Sequence, residues 1–347
     1  MKRLLVNDVL TCIPGTRTFW SDLEEWFSMQ FIGDAYATLV DTVDKQSDGA
    51  SLIIRNASYF GPLKSSQSWG GDSCPDCDGP MKRCGKHGDA GEPPFEYHQG
   101  IPTISLLQDI MAEGPGRKMQ EAGIRSSHSG VFNSNFTSSR YPQFPPNLQE
   151  LKKYCFIPLP VDFDLFQPGN PMGLQQELSL PDNCVLWIGA SEGPAGQVKG
   201  VDIFLSIVRM NPDINFVAVF KDKWLDYCPP NMRMFTRQSH AELVKIIGAC
   251  RVGLCTSRTE SQHLAGIEMG ACGLPMVAAN VGTYWKRDRV PGAFIRVDDP
   301  KEYSGEIRHT LETRLKPESI RAYWQKEFDR PVVKAKWEEL VKEAEGG

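Results

Sequence analysis

Residues 252–282 read VGLCTSRTESQHLAGIEMGACGLPMVAANVG, and the succession of residue types in that stretch decides the fold. VGLC is short, apolar and β-prone, so a buried strand ending at Cys255 is predicted. A polar loop follows with Ser257, Arg258 and Glu260, then a helix from near Gln262, then the turn Gly273-Leu274-Pro275 into a second buried strand, PMVAA at 275–279. Neither strand alternates apolar with polar residues, so both are predicted to be covered on two faces, as in the parallel sheets built from β-α-β units. The same alternation continues outward, with apolar runs at 4–6, 51–54, 103–107, 185–189 and 216–220 and amphipathic stretches at 18–31, 201–210 and 240–250. An α/β chain with two Rossmann-like sheets is expected.

The chain has 347 residues, about two domains at roughly 150 residues each. The boundary is placed in 158–181, a stretch with five prolines and little regular pattern. The expected division is a domain over 1–160 with a Cys-rich insertion at 64–98, a domain over 161–316, and terminal helices over 317–347 that pack across both. Hydrophobic residues at 41% and charged residues at 23% exclude wholesale disorder, collagen and coiled coil. The formal net charge of −5 argues against a role resting mainly on phosphate contacts to nucleic acid. No apolar run is long enough to span a bilayer, and the opening MKRLLVNDVLTCIPG breaks at Asn7 and Asp8 before a signal-peptide core forms. A cytoplasmic protein is expected, with Trp20, Leu23, Trp26 and Phe27 read as core rather than as a membrane contact.

Glu260 and Glu268 have seven residues between them, which places one carboxylate just before the helix and the other about two turns along it. Backbone amides over 261–264, ending at Leu264, are expected to face the crevice at the carboxyl end of the sheet, an anion site. Such a pair of glutamates is common by itself; its context is not. Gly266, Gly270, Ala271 and Gly273 allow close helix approach, and upstream VLWIGASEGPAGQVKGVDIF sets Lys199 and Gly200 between a strand and a helix.

The block 256–282 resembles the donor-binding region of the retaining, nucleotide-sugar-dependent glycosyltransferases of the GT-B fold, the family that includes sucrose synthases and bacterial mannosyltransferases. Further resemblances follow in order: FNSNFTSSRY at 132–141, IPLPVDFDLFQP at 157–168 and MFTRQSHAELVKIIGACRVGLCTS at 234–257, where Ser239 and Glu242 read as a capping box. The resemblance implies two Rossmann-like domains with a cleft between them and C-terminal helices crossing back. It implies transfer of a sugar from a nucleotide-diphosphate sugar, with retention and without a catalytic metal. Glu268 would hold the donor ribose, Glu260 would meet the transferred sugar, and Lys199 would oppose charge on the diphosphate. The base would sit near Lys221 and 237–239.

The chain also departs from that pattern. An arginine expected soon after Gly189 is replaced by Ala190-Ser191-Glu192; Arg258 is the candidate substitute. Ser261-Gln262-His263 stand where the family has glycines, so His263 is a candidate contact for sugar or phosphate. Where the family often has His-Asp, this chain has Gln108-Asp109, and Asp109 is a candidate for contacting the donor sugar or acting as acceptor base. Gly15, in the first strand-helix turn, would permit close backbone approach to phosphate or acceptor. Asp162-Phe163-Asp164 spells a DxD but reads as linker, not as a metal site.

Three of the ten cysteines cluster in CPDCDGPMKRCGKH at 74–87. Cys74, Cys77, Cys84 and His87 have the types and spacing of a tetrahedral Zn2+ site, which would order a segment that has no core of its own. The expected activity is glycosyl transfer (EC 2.4 class, hexosyl) to an acceptor that the sequence leaves open: glycan, lipid, small molecule, protein or modified nucleobase. The alternatives are a nucleotide-sugar epimerase and a non-catalytic protein of the same fold that uses the zinc knuckle as a protein or nucleic-acid contact.

Overall fold

The computed structural model describes residues 2–6, 14–32, 50–56, 101–107, 120, 124, 127–141, 154–287, 291–295, 299–313 and 315–346. The chain divides into two compact units, one comprising Met1–Leu159 and Lys334–Gly347, the other Pro160–Val333.

The first unit holds six strands: β1 (Lys2–Val6), β2 (Gln30–Ile32), β3 (Ala50–Asn56), β4 (Thr103–Leu107), β5 (Ser129–Phe132) and β6 (Tyr154–Phe156). They form one sheet in the order β2-β1-β3-β4-β5-β6, every pairing parallel. Parallel strands need crossover connections, and helix α1 (Pro14–Phe27) supplies the first. It starts on Pro14, whose missing N–H costs nothing at that position. Trp20, Leu23 and Phe27 are buried, as are Leu52, Ile54, Ile104, Leu106 and Phe132 on the strands, and Trp26 is half-buried. This face of α1 is therefore core. A short helix, α2 (Asn135–Ser139), is capped by the Ser134 hydroxyl, which accepts the Thr137 amide at 3.1 Å.

The second unit has α3 (Pro171–Leu178) and then strands β7 (Val185–Gly189), β8 (Phe216–Phe220), β9 (Met232–Thr236), β10 (Val252–Cys255), β11 (Met276–Ala279) and β12 (Gly292–Ile295). The sheet order is β12-β11-β10-β7-β8-β9, again parallel throughout. Successive side chains on a strand point to opposite faces, and both faces are filled. Val185, Trp187, Phe216, Ala218, Val252, Leu254 and Val277 share one cluster with α5 (Val201–Met210) and α8 (Pro300–Glu312). Leu186, Val217, Val219, Cys255, Met276 and Ala278 share the other with α6 (His240–Ala249), α7 (Leu264–Ala271) and α9 (Pro317–Phe328). Burying each Val, Leu or Phe contributes about 1.5–3 kcal/mol, so two filled faces explain why these strands carry no polar alternation.

Two boundaries differ from the reading of the sequence. Residues Gly193–Lys199, expected as loop, form helix α4. Helix α7 begins at Leu264 with His263 as its N-cap, so Glu268 sits little more than one turn into it, not two. The final helix α10 (Arg330–Gly346) starts in the second unit, where Val333 is buried, and continues in the first, where Trp337, Leu340, Val341 and Ala344 are buried. Arg3 on β1 grips Glu345 near its end with two hydrogen bonds of 2.8 Å. Asp162 accepts the amides of Asp164 and Leu165, each at 3.0 Å, and lies 3.5 Å from Arg330, the work of a turn residue in a linker.

Candidate functional site

In the second sheet, β7 and β10 are neighbours while the chain proceeds from them outward in opposite directions. The strand order reverses there, and in open α/β sheets ligands bind outside the carboxyl ends of the strands at that point. The segments leaving these two strands are 190–200, with α4, and 256–264, entering α7.

Several contacts lock the two segments together. Gly200 ends α4 in the left-handed region with φ 66°, and a Cβ there would strike the Thr256 carbonyl. The Thr256 hydroxyl lies 3.0 Å from the carbonyls of Lys199 and Gly200 and accepts the Trp187 indole N–H at 2.9 Å. The Arg258 amide donates to the Val198 carbonyl at 2.8 Å. Its guanidinium donates to the Gln197 carbonyl and to both carboxylate oxygens of Asp202, each at 2.8 Å. The end of α4 is thus stapled to the β10 loop, and Lys199 is aimed by that staple.

Lys199 Nζ donates to Glu260 Oε1 at 2.5 Å, and Ser257 Oγ donates to the same oxygen at 2.8 Å. Burial by itself would raise the Glu260 carboxyl; the Lys199 charge, His263 and the two hydrogen bonds overcome it and hold the group below the usual carboxylate value. Burial likewise works against charge on Lys199, and Glu260 outweighs it, keeping the ammonium above its ordinary value. Both members of the pair are therefore charged at neutral pH. The ammonium has three N–H donors, and Glu260 is its one hydrogen-bond partner among the described residues.

Glu268 is half-buried, and its carboxylate has no hydrogen-bond or ion-pair partner among the described residues. Burial pushes it up to about 7, so near neutrality it can accept a hydrogen bond as carboxylate or donate one as acid. His263 is buried, with Nδ1 2.8 Å from the Tyr284 hydroxyl. Burial lowers it to about 4 against the opposing pull of Glu260, which leaves a neutral imidazole. Cys255, at the end of β10, is pushed up by burial to about 12 and stays an unreactive thiol.

The structure thus brings Lys199, Glu260 and His263 together and places Glu268 on the helix that follows. Leu264, half-buried, is the first residue of α7, and Gly15 is the second residue of α1. Arg258 is engaged with Asp202 and the end of α4. The Ser191 amide, in the loop that lacks the expected arginine, donates to Asp222 at 2.8 Å, and Glu192 pairs with Lys223 at 2.8 Å on the surface. Asp109, Cys74, Cys77, Cys84 and His87 lie outside the described residues; among the described residues no group of His, Cys, Asp or Glu is arranged to hold a metal ion. Cys184, Cys250, Cys255 and Cys272 are buried as small hydrophobes, whereas Cys228 is exposed. Sequence reading did not anticipate Ser257 as a partner of Glu260 or Tyr284 as a partner of His263. Ser257 stands three residues before Glu260, a spacing that could have suggested it; Tyr284 arrives through tertiary packing, with no local signal.

Residues 182–313, which carry Lys199, Glu260, His263 and Glu268, match the family model described as Glycosyl transferases group 1. The D-inositol 3-phosphate glycosyltransferase of Segniliparus rotundus is 28% identical over 244 residues, covering 64% of this chain and 52% of the relative. That of Acidothermus cellulolyticus is 26% identical over 261 residues, covering 64% and 57%. The chain therefore spans about half the length of these curated relatives. Among solved structures, Anabaena HepE in complex with UDP and glucose matches with a TM-score of 0.69 at 15% identity, covering 99% of this chain and 100% of that one. Sucrose-phosphate synthase from Thermosynechococcus elongatus matches with a TM-score of 0.70 at 12% identity, covering 99% of each. The chain has the GT-B fold of these glycosyltransferases, two parallel-sheet Rossmann-like halves, and the switch point of its second half lies inside the segment that matches Glycosyl transferases group 1.

Proposed function

We propose that the protein is a retaining glycosyltransferase that takes its sugar from a nucleoside-diphosphate sugar held at the carboxyl edge of the second sheet. The observation that carries this reading is the Lys199–Glu260 pair at the switch point, with the unpartnered Glu268 carboxylate on the helix that follows. Glu268, poised near 7 by burial, suits a ribose diol, whose hydroxyls both donate and accept. Lys199 suits the diphosphate: one N–H stays on Glu260 while the others reach phosphate oxygens.

In the transfer, the bond between the anomeric carbon and the phosphate oxygen breaks, and its electron pair goes to that oxygen. Lys199 and the amides at the start of α7 oppose the charge where it grows. The acceptor hydroxyl attacks from the face the diphosphate leaves, and its proton passes to the departing phosphate, directly or by way of Asp109 where that residue serves as acceptor base. Glu260 is locked to Lys199 and Ser257; its place is to orient the sugar hydroxyls beside the reacting carbon, not to act as nucleophile. The match to HepE in complex with UDP makes a uridine diphosphate sugar the first donor to try. Asp109 is kept as the candidate contact for sugar or acceptor base, and Cys74, Cys77, Cys84 and His87 as a structural zinc site, which metal analysis of the purified protein tests directly.

The donor reading is tested by thermal shift with UDP, GDP, ADP and their sugars, on the wild type and on Glu268→Ala. A shift with one nucleotide that the variant loses supports the donor site, since a ligand at 100 times its Kd stabilises by about 2.7 kcal/mol. No shift with any nucleotide in the folded protein refutes it. Turnover of the donor without any acceptor would instead indicate an epimerase, and the anomeric configuration of the product, read by NMR, decides retention.

A further inference from the structure

The turn Gly282–Tyr284 follows β11 and backs the loop that carries Glu260. Gly282 has φ 55°, and a Cβ there would sit 2.8 Å from Cβ of Glu260. Two residues on, Tyr284 is fully buried, with its ring edge-on to Trp324 at 6.1 Å between centroids. Its hydroxyl occupies the space left by Gly266, where any Cβ would collide with that oxygen and with His263 Nδ1. The phenol is held against one nitrogen of His263 by packing on the turn, on α7 and on α9.

We propose that Tyr284 is a positioning residue that donates its hydroxyl proton to His263 Nδ1, fixing the imidazole in its Nε2–H form as a neutral donor to the diphosphate. This rests on the donor-site reading of Lys199 and Glu260. In a neutral imidazole one nitrogen donates and the other accepts, and the partner of one decides the role of the other. His263 has no hydrogen-bond partner for Nε2 among the described residues, and its ring lies near enough to Glu260 and Lys199 to feel both charges. A fully ionised diphosphate has acceptors and no donor, so only the Nε2–H form serves it. Two neighbours face the ring with charge: ionised Glu260 opposes a bound anion, and Lys199 balances Glu260. A neutral N–H adds a donor without adding to either charge.

The test uses the full chain labelled with 15N-histidine, with the His263 signal assigned by its loss in His263→Asn. Long-range proton-nitrogen spectra at pH 7 are expected to give the Nε2–H tautomer in the wild type and a mixture of tautomers in Tyr284→Phe. UDP binding by calorimetry is expected to weaken about five- to tenfold in Tyr284→Phe, the loss of one oriented hydrogen bond. His263→Leu should lose at least as much. An Nδ1–H tautomer in the wild type, or a tautomer that Tyr284→Phe does not change, overturns the role of Tyr284 while leaving the donor site standing. Absence of UDP binding by the wild type, with its tautomer as expected, overturns the diphosphate role together with the uridine donor reading.

Discussion

Glu268 and His263 are both displaced by burial, in opposite directions and with opposite consequences for stability. The Glu268 carboxyl is raised to about 7, so the native state holds a proton that the unfolded chain releases. Its contribution is fully present below the ordinary glutamate value and is lost as pH rises through 7. His263 is lowered to about 4, so the unfolded chain takes a proton that the native state refuses, and stability falls as pH drops from about 6.5 toward 4. Each effect is up to about 3 kcal/mol, and between pH 4.5 and 6.5 they nearly cancel. Glu268→Gln removes one of them. Its urea midpoint should therefore climb steeply from pH 4.5 to 6.5 while that of the wild type stays flat; parallel profiles would mean that Glu268 ionises as if exposed. The Lys199–Glu260 pair makes a second prediction. Lys199→Met leaves a buried carboxylate with no cation and should destabilise by about 1–3 kcal/mol, the cost of a buried polar group left without its partner, whereas Lys199→Met with Glu260→Gln should recover most of that loss. Failure of the double variant to recover would place the importance of Lys199 in its packing rather than in its charge.

At the scale of elements, the strands and most helices were legible because each carries its own signal. Ser239 and Glu242 form the expected capping box, the Glu242 side chain accepting the Ser239 amide at 2.8 Å and the Ser239 hydroxyl accepting the Glu242 amide at 3.3 Å. Ser239→Ala should cost about 1 kcal/mol by urea unfolding. Helix α4 was not legible, for a physical reason. GPAGQVK holds two glycines and a proline in seven residues, a composition that disfavours helix by propensity; the helix stands because Arg258 and Thr256 bind its last carbonyls. The same argument explains why Lys199 could be picked out by resemblance while its aim could not. Gly200→Ala tests the staple: it combines a left-handed φ with a collision against the Thr256 carbonyl, both of which resist relaxation. It should destabilise by about 2 kcal/mol or more and weaken UDP binding by displacing Lys199. A variant that binds UDP normally would mean that the end of α4 does not aim Lys199.

Over the whole molecule, unbroken apolar runs separated by helical periods required parallel sheets, and the two strand orders observed, β2-β1-β3-β4-β5-β6 and β12-β11-β10-β7-β8-β9, are doubly wound orders that such runs permit. Which strands meet at the switch point is a property of topology, and no residue in β7 or β10 encodes it alone; the residues of the site were legible by resemblance, whereas the departure of 190–200 and 256–264 from adjacent strands was not. The C-terminal helix α10 extends this dependence to the first unit. Its residues from Lys334 onward cluster with Met1–Leu159, so the sheet that opens the chain is completed by the segment that closes it. Trp337 is fully buried there, and the Arg3–Glu345 pair fastens the end of the helix to β1. Trp337→Ala should destabilise the first unit by about 3–5 kcal/mol, the usual cost of emptying a buried tryptophan site. Lys199, Glu260, His263 and Glu268, the residues proposed to meet the nucleotide, all lie in Pro160–Val333. The Kd for UDP should therefore stay within about twofold of the wild type, a change of about 0.4 kcal/mol, even as the first unit melts at lower urea. Protection of backbone amides from hydrogen exchange reads the two units separately: β3 and β4 should lose protection while β7 and β10 keep theirs. Equal loss in both sheets would mean that the units unfold as one body and that α10 stabilises the donor site as well.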